Sequence, residues 1–244
     1  MRLEFHGAAG GVTGSHFVLD DGKFRIGIDA GLFQGKEADL NRQGFGHDLR
    51  SLKALVLTHA HIDHSGRVPL LFKQGFKGPI YSTSATADLC EMMLRDSAHL
   101  MKEEADRNIR HPERGLPTVP LYSEDDVIYA MHRFRPIGYN KATELGGYSF
   151  LFREAGHILG SAMLEINLDG RIMLFSGDLG RPGAPILCDP WKPEAADWLV
   201  LESTYGDRYH DHLADRGQKL LDITLETIER GGNVVIPAFA VGRT

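Results

Sequence analysis

Cysteine is scarce in this chain. Cys90 and Cys188 are the only two in 244 residues, which excludes a disulfide framework and suits a reducing compartment. The cytoplasm is the expected location. Long apolar runs are missing as well, and nothing approaches the ~18 residues of a membrane helix. The opening Met1-Arg2-Leu3-Glu4-Phe5-His6 reads as a strand, so no secretory signal is expected. Positive charge is in short supply, with 27 Lys and Arg against 33 Asp and Glu and a net charge of −6. That argues against indiscriminate coating of nucleic acid, which needs a broad basic surface. A local basic groove is still open to Arg107, Arg110, Arg114, Arg133 and Arg135, as is a plain solvated face. Repeats and low-complexity tracts are missing too. What remains is ordinary globular composition, 42% hydrophobic and 25% charged, enough for one large domain or one domain and part of another.

Against that background His59-Ala60-His61-Ile62-Asp63-His64 stands out. It directly follows the apolar run Ala54-Leu55-Val56-Leu57-Thr58, so a strand ending in this loop can present several ligands to one point. Zinc takes imidazole nitrogen at about 2.0–2.1 Å and carboxylate oxygen at a similar distance. The pattern is too dense for one ion: His59 and His61, two apart, share a direction, while Asp63 and His64 are offset toward a neighbouring ion. Further candidates follow other strand-like runs: Asp29 after Phe24–Ile28, His157 in Gly156-His157-Ile158-Leu159-Gly160-Ser161, Asp178 in Phe175-Ser176-Gly177-Asp178, and Glu202 after Trp198–Leu201. Singly, each also reads as a turn or cap residue; at consecutive strand ends they converge.

The periodicity predicts early strands at Leu3–His6, His16–Leu19, Phe24–Ile28, Ala54–Leu57 and Pro79–Tyr81. The loop Gly7–Gly14 lies between two strands with no following helix and reads as a hairpin connection rather than a dinucleotide fingerprint. A long helix is expected from about Ala85 to Asn108, with Leu89, Met93, Leu100 and Met101 as its packed stripe. Ser123 with Asp126 has capping-box form. Strands return at Tyr148–Phe152, Ala162–Leu168 and Arg171–Phe175, with Asp169-Gly170 as a hairpin turn. Trp198–Leu201 is one more strand, Leu221, Leu225 and Ile228 mark a helix, and Asn233–Ile236 is a last expected strand. Two strand-rich halves, each followed by amphipathic helices, predict an α/β fold of αββα type, two face-to-face sheets with helices outside. His6, His16, His47, His99, His111 and His132 have no partner at ligand spacing and read as strand, loop or surface residues. His210-Asp211-His212 imitates a metal pair but reads as the solvated start of a polar helix.

The set resembles the metallo-β-lactamase fold and, within it, the β-CASP nucleases. Asp29, the run His59–His64, His157 and Asp178 match the fold's successive motifs. Glu202-Ser203-Thr204-Tyr205 is similar to the first β-CASP motif, and Ile236-Pro237-Ala238-Phe239-Ala240-Val241-Gly242-Arg243 resembles the segment that follows it. The resemblance implies residues 1–208 as a metallo-β-lactamase domain and 209–244 as the beginning of an α/β β-CASP domain. The sequence is expected to continue beyond Thr244, where the family's last zinc-binding histidine and its general-acid histidine would lie. It further implies two zinc ions, one held by His59, His61 and His157, the other by Asp63 and His64, with Asp178 bridging. Asp63, Asp29 and Glu202 would be the carboxylates of the catalytic machinery, Asp29 orienting a ligand histidine and Glu202 the general acid. The implied activity is hydrolysis of RNA phosphodiester bonds by water activated between two metals. Glu202 tilts it toward RNA, since DNA-directed relatives carry aspartate there. RNA is the implied partner, with no membrane and with a second copy of the chain as a candidate. Two other readings stand beside it: a small-molecule hydrolase of the same fold acting on a thioester, lactone or β-lactam, and a non-catalytic subunit of an RNA-processing assembly. The first does not need Glu202-Ser203-Thr204. The second is expected to have lost ligands that this chain retains.

Overall fold

A computed structural model describes residues 1–209, 216–239 and 241–242. They fall into two compact units, Met1–Glu202 and Ser203–Thr244. The first carries the chemistry. It opens with β1 (Arg2–Phe5), β2 (Phe17–Asp20) and β3 (Arg25–Ile28), an antiparallel meander, and continues through β4 (Leu52–Val56), β5 (Ile80–Ser82) and β6 (Phe134–Pro136), each parallel to its neighbour. These strands form one sheet in sequence order. The crossover from β4 to β5 holds α1 (Ile62–Ser65) and α2 (Val68–Lys73), and that from β5 to β6 holds α3 (Ser84–Arg110) and α4 (Glu124–Met131). The second sheet runs β11 (Trp198–Val200), β10 (Arg171–Phe175), β9 (Ala162–Leu168), β8 (Tyr148–Glu154), β7 (Thr143–Leu145).

The two sheets share one core. Leu19, Ile26, Ile28, Ala54 and Val56 of the first pack with Tyr148, Phe150, Phe152, Ala162, Leu164, Ile166, Met173 and Phe175 of the second. Along β8 and β9 the residues of that core alternate, as a pleated strand with one face inward requires. Met163 points the other way, into a smaller cluster with Ala155 and Leu174. The fold is thus the expected sandwich, and its geometry fixes where chemistry can occur. β3 and β4 are parallel, so Asp29 and the histidine run leave the sheet at the same edge.

Several expectations need correction. The buried stripe of α3 is Thr86, Ala87, Cys90, Leu94, Ala98 and Ala105. Small side chains let this helix approach closely, leaving Leu89, Met93 and Met101 as half-buried flanks and Leu100 exposed. The short strands β6 and β7 and the helices α1 and α2 were not anticipated. The arginines do not form one group. Phe134 and Pro136, flanking Arg135, line one cleft with Ala87 and Glu91 near the start of α3, whereas Arg107 and Arg110 sit at its end. At 1.5 Å per residue, Glu91 to Arg107 spans about 24 Å. In the second unit α5 (Arg216–Glu229) covers Leu221, Leu225 and Ile228. Asn233–Ile236, however, is not a strand. A strand exists by pairing, and among the described residues of this unit there is no other strand to pair with. No described helix is long and apolar enough to cross a membrane, and Cys90 and Cys188 are free thiols.

Candidate metal centre

Asp29 directly follows β3 in a left-handed conformation, φ 55°, which turns its side chain inward beneath the loop after β4. Its carboxylate accepts from the Thr58 N–H at 2.8 Å and from the Thr58 hydroxyl at 2.9 Å. Its Oδ2 lies 2.8 Å from His64 Nδ1. A carboxylate at that ring position keeps the proton on Nδ1 and leaves Nε2 facing outward. The turn after Asp29 is stitched to the histidine segment by the bonds Ala30 N–H to His64 carbonyl at 2.7 Å and Leu32 N–H to Ile62 carbonyl at 2.8 Å. Gly31 passes so close to Asp63 that an added Cβ would lie 1.6 Å from its carbonyl oxygen. Only glycine fits there.

His157 arrives from the loop between β8 and β9. Both its own N–H and that of Ile158 donate to the Ser161 hydroxyl, at 3.0 and 3.2 Å. The hydroxyls of Thr83 and Thr86, at the start of α3, donate to the Gly160 carbonyl at 2.8 and 2.9 Å. Asp178 follows β10. Its neighbour Leu179 donates an N–H to Glu202 at 3.0 Å, and the Glu202 N–H donates to Ser176 at 2.9 Å. Glu202 therefore braces the loop that carries Asp178.

Four of the expected ligands meet at one point: His59, His61, His157 and Asp178, with donor atoms all within 4.8 Å of one another. His61 Nδ1 lies 3.1 Å from His59 Nε2 and 3.1 Å from His157 Nε2. Asp178 Oδ2 lies 3.6 Å from His59 Nε2 and 3.3 Å from His157 Nε2. A tetrahedral ion with bonds of about 2.0–2.1 Å has donor–donor edges of about 3.3 Å, so these residues fit a zinc-sized cation. The other oxygen of the same carboxylate, Asp178 Oδ1, is 3.2 Å from His64 Nε2. Asp63 Oδ2 stands further off, 4.0 Å from His64 Nε2. Asp63 and His64 thus lie beside the four-donor group and not within it.

Electrostatics follow from burial. His59 is fully buried, which holds its ring well below the usual histidine range, and the neighbouring His64 adds to this. His157 is lowered for the same reason. Neutral imidazole is the form that binds metal. His64 goes the other way: burial disfavours its charge, but the Asp29 and Asp178 carboxylates outweigh burial and raise it well above the usual range. Burial likewise pushes the Asp178 carboxyl up, and the surrounding imidazoles, His64 first, overcome this and hold it far below the normal range.

Three of the other histidines, which show no partner at ligand spacing in the sequence, are brought together by the fold and lie outside the four-donor group. His6, His16 and His47 meet although 10 and 31 residues separate them: His16 and His47 stack with their Nε2 atoms 2.8 Å apart, and the rings of His6 and His47 are 4.5 Å apart. Sequence spacing carries no sign of such a meeting. Arg67 was missed too. It is buried between the Phe33 and Phe45 rings, 4.6 and 4.4 Å from their centroids, and donates to the Gly31 carbonyl. His99 and His111 do sit on the surface beside Glu103 and Glu113, and His210-Asp211-His212 lies outside the described residues.

Known proteins fit this picture. The chain is 40% identical over 243 residues to Ribonuclease TTHA0252 of Thermus thermophilus, spanning 100% of this chain and 53% of that protein. It is 32% identical over 254 residues to Transcription termination factor FttA of Methanosarcina mazei, spanning 100% of this chain and 38% of that one. It therefore spans about half, or less, of these relatives. A solved protein of unknown function from Enterococcus faecalis V583 shares the fold with a TM-score of 0.58 at 14% identity, over 92% of this chain and 57% of that chain. The Metallo-beta-lactamase superfamily profile matches residues 9–228, which take in every strand tip bearing the site. The chain belongs to the metallo-beta-lactamase superfamily.

Proposed function

We propose that this chain is the metal-binding part of a zinc-dependent ribonuclease of the β-CASP kind. Residues 1–208 would form the hydrolase domain and 209–244 the start of a second domain. The observation that carries the reading is Asp178, whose two oxygens face two separate imidazole sets, His59 and His157 on one side and His64 on the other. A carboxylate so placed suits a pair of ions better than one. Two bound zinc ions about 3.5–4 Å apart would supply an acidified water and positive charge for a phosphate.

The chain's own residues would prepare that site. His59, His61 and His157 offer imidazole nitrogens at the spacing of one tetrahedral ion. Asp63 and His64 stand beside them toward a second. Asp29 fixes the His64 ring, and Glu202 braces the Asp178 loop. RNA as substrate is supported by the ribonuclease of Thermus thermophilus, to which the chain is similar along its whole length.

The complete zinc-loaded protein, of which this chain is the proposed metal-binding part, incubated with end-labelled RNA beside its Asp63→Ala, His64→Ala double variant, tests this. The expected loss of cutting is about 10³-fold, equivalent to about 4 kcal/mol in the barrier. Equal cutting by both proteins would defeat the proposal. Unlabelled thioester, lactone and β-lactam substrates in parallel reactions identify a small-molecule hydrolase instead.

A further inference from the structure

Among the described residues Asp29 is one of four non-glycine residues with positive φ, and of those four the one that is buried. Such a conformation persists only where the surroundings over-determine it. Besides His64 and the Ser15 hydroxyl, which donates to the carboxylate at 3.4 Å, three groups hold it. The Asp29 N–H donates to the Val56 carbonyl at 3.0 Å, Thr58 holds the carboxylate, and the Asp29 carbonyl lies 2.6 Å from His16 Nδ1.

A carbonyl only accepts, so the His16 proton sits on Nδ1 and Nε2 is the acceptor. His47 Nε2 then donates to it at 2.8 Å. This fixes both tautomers, and burial, which lowers both rings below the usual histidine range, keeps them neutral. His16 is fully buried, edge-on to Phe45 at 5.2 Å. Its one polar task toward the site is the bond to Asp29.

We propose that His16 is a positioning residue of the metal centre: its Nδ1–H anchors the left-handed peptide of Asp29 and so aims the Asp29 carboxylate at His64 Nδ1. With the anchor in place, His64 Nε2 points at Asp178. Without it, the Asp29 backbone relaxes and the His64 ring is free to turn. The consequence for metal binding rests on His64 being a ligand, as proposed above; the effect on the His64 ring does not.

The test compares His16→Asn with His16→Leu. The two side chains have the same number of heavy atoms and branch alike at Cγ, and only asparagine can donate from near the position of Nδ1. In the metal-free protein, nitrogen-edited proton NMR should show a downfield His64 Nδ1–H signal in wild type and in His16→Asn, and lose it in His16→Leu. Titration with Co²⁺ alone, followed by visible absorption, should show His16→Leu weakened 10- to 100-fold, the usual range for partners behind a ligand. His16→Asn should stay within about threefold of wild type. A His64 signal and Co²⁺ affinity unchanged in His16→Leu would overturn the proposal, and so would equal losses in both variants. Should His16→Leu not fold, His16→Phe fills the ring's volume without a donor and takes its place under the same criteria. If wild type binds no Co²⁺, the metal reading fails, and the His64 signal alone still decides the role of His16.

Discussion

A single methyl group is enough to disturb this site at Gly31. A Cβ there would lie 1.6 Å from the Asp63 carbonyl and 2.7 Å from the Ser15 N–H, both backbone, so no side chain can swing aside. Gly31→Ala should therefore cost at least the ~1–3 kcal/mol of ordinary overpacking, read as a lower denaturation midpoint, and should weaken Co²⁺ binding as Asp63 is displaced. His47 makes a different prediction. Burial first, then the charges of His6 and Arg25, lower its pKa to about 4 against a small opposing effect of Glu4. As pH falls below about 6.5 the unfolded chain takes up a proton that the folded ring refuses, so stability drops until about pH 4. Relative to His47→Gln, the wild type should lose about 1–2 kcal/mol across that window, allowing for screening at a half-buried ring. Guanidinium melts at pH 7.5, 6 and 4.5 would show the divergence, and parallel curves would refute it. The candidate ligands at this scale stand out in the sequence because three imidazoles and a carboxylate crowd six residues. His16 was not, because its partner is a backbone carbonyl that only the fold brings near.

Thr83 joins two elements. As N-cap of α3 it accepts from the Thr86 N–H at 3.2 Å, and its hydroxyl reaches the Gly160 carbonyl of the His157 loop at 2.8 Å. Thr83→Val keeps the shape and removes both bonds, and should cost about 1–2 kcal/mol in equilibrium unfolding. Thr83→Ser should stay within about 0.5 kcal/mol, since the hydroxyl survives. Equal midpoints for the two variants would mean that the bonds carry nothing. Among the elements, those with a strong period or a marked terminus were legible. The alternation in Ala162–Leu168, the Asp169-Gly170 turn and the Ser123–Asp126 capping box appear where sequence places them. Three-residue strands such as β6 and β7 carry too short a pattern, and they exist because a neighbour offers hydrogen bonds. The α3 stripe was misplaced because alanine, cysteine and threonine pack closest, while hydropathy favours the larger Leu89 and Met93.

For the molecule as a whole, the site is a product of the sandwich. His59 and His61 come from one sheet, His157 and Asp178 from the other, so a cation held by all four would tie the two sheets together. Folding and metal binding should then be linked, since the unfolded chain has no such meeting point. Zinc added in excess should raise the thermal midpoint, by about 2.7 kcal/mol of stability at 100 times Kd, and a chelator should reverse it. The pH dependence has a definite sign. In the metal-free fold His64 is raised well above the usual range by Asp29 and Asp178 against its burial, so near neutral pH its Nε2 carries a proton that a cation must displace. Binding there should release protons, and affinity should climb as pH rises. Calorimetry in two buffers of different ionisation enthalpy counts the protons, and differential scanning at pH 6 and pH 8 compares the midpoints. A zinc-induced shift larger at pH 6 than at pH 8 would contradict the assignment of His64 to the centre, whereas a shift growing with pH, abolished by His64→Ala, is the outcome this geometry requires.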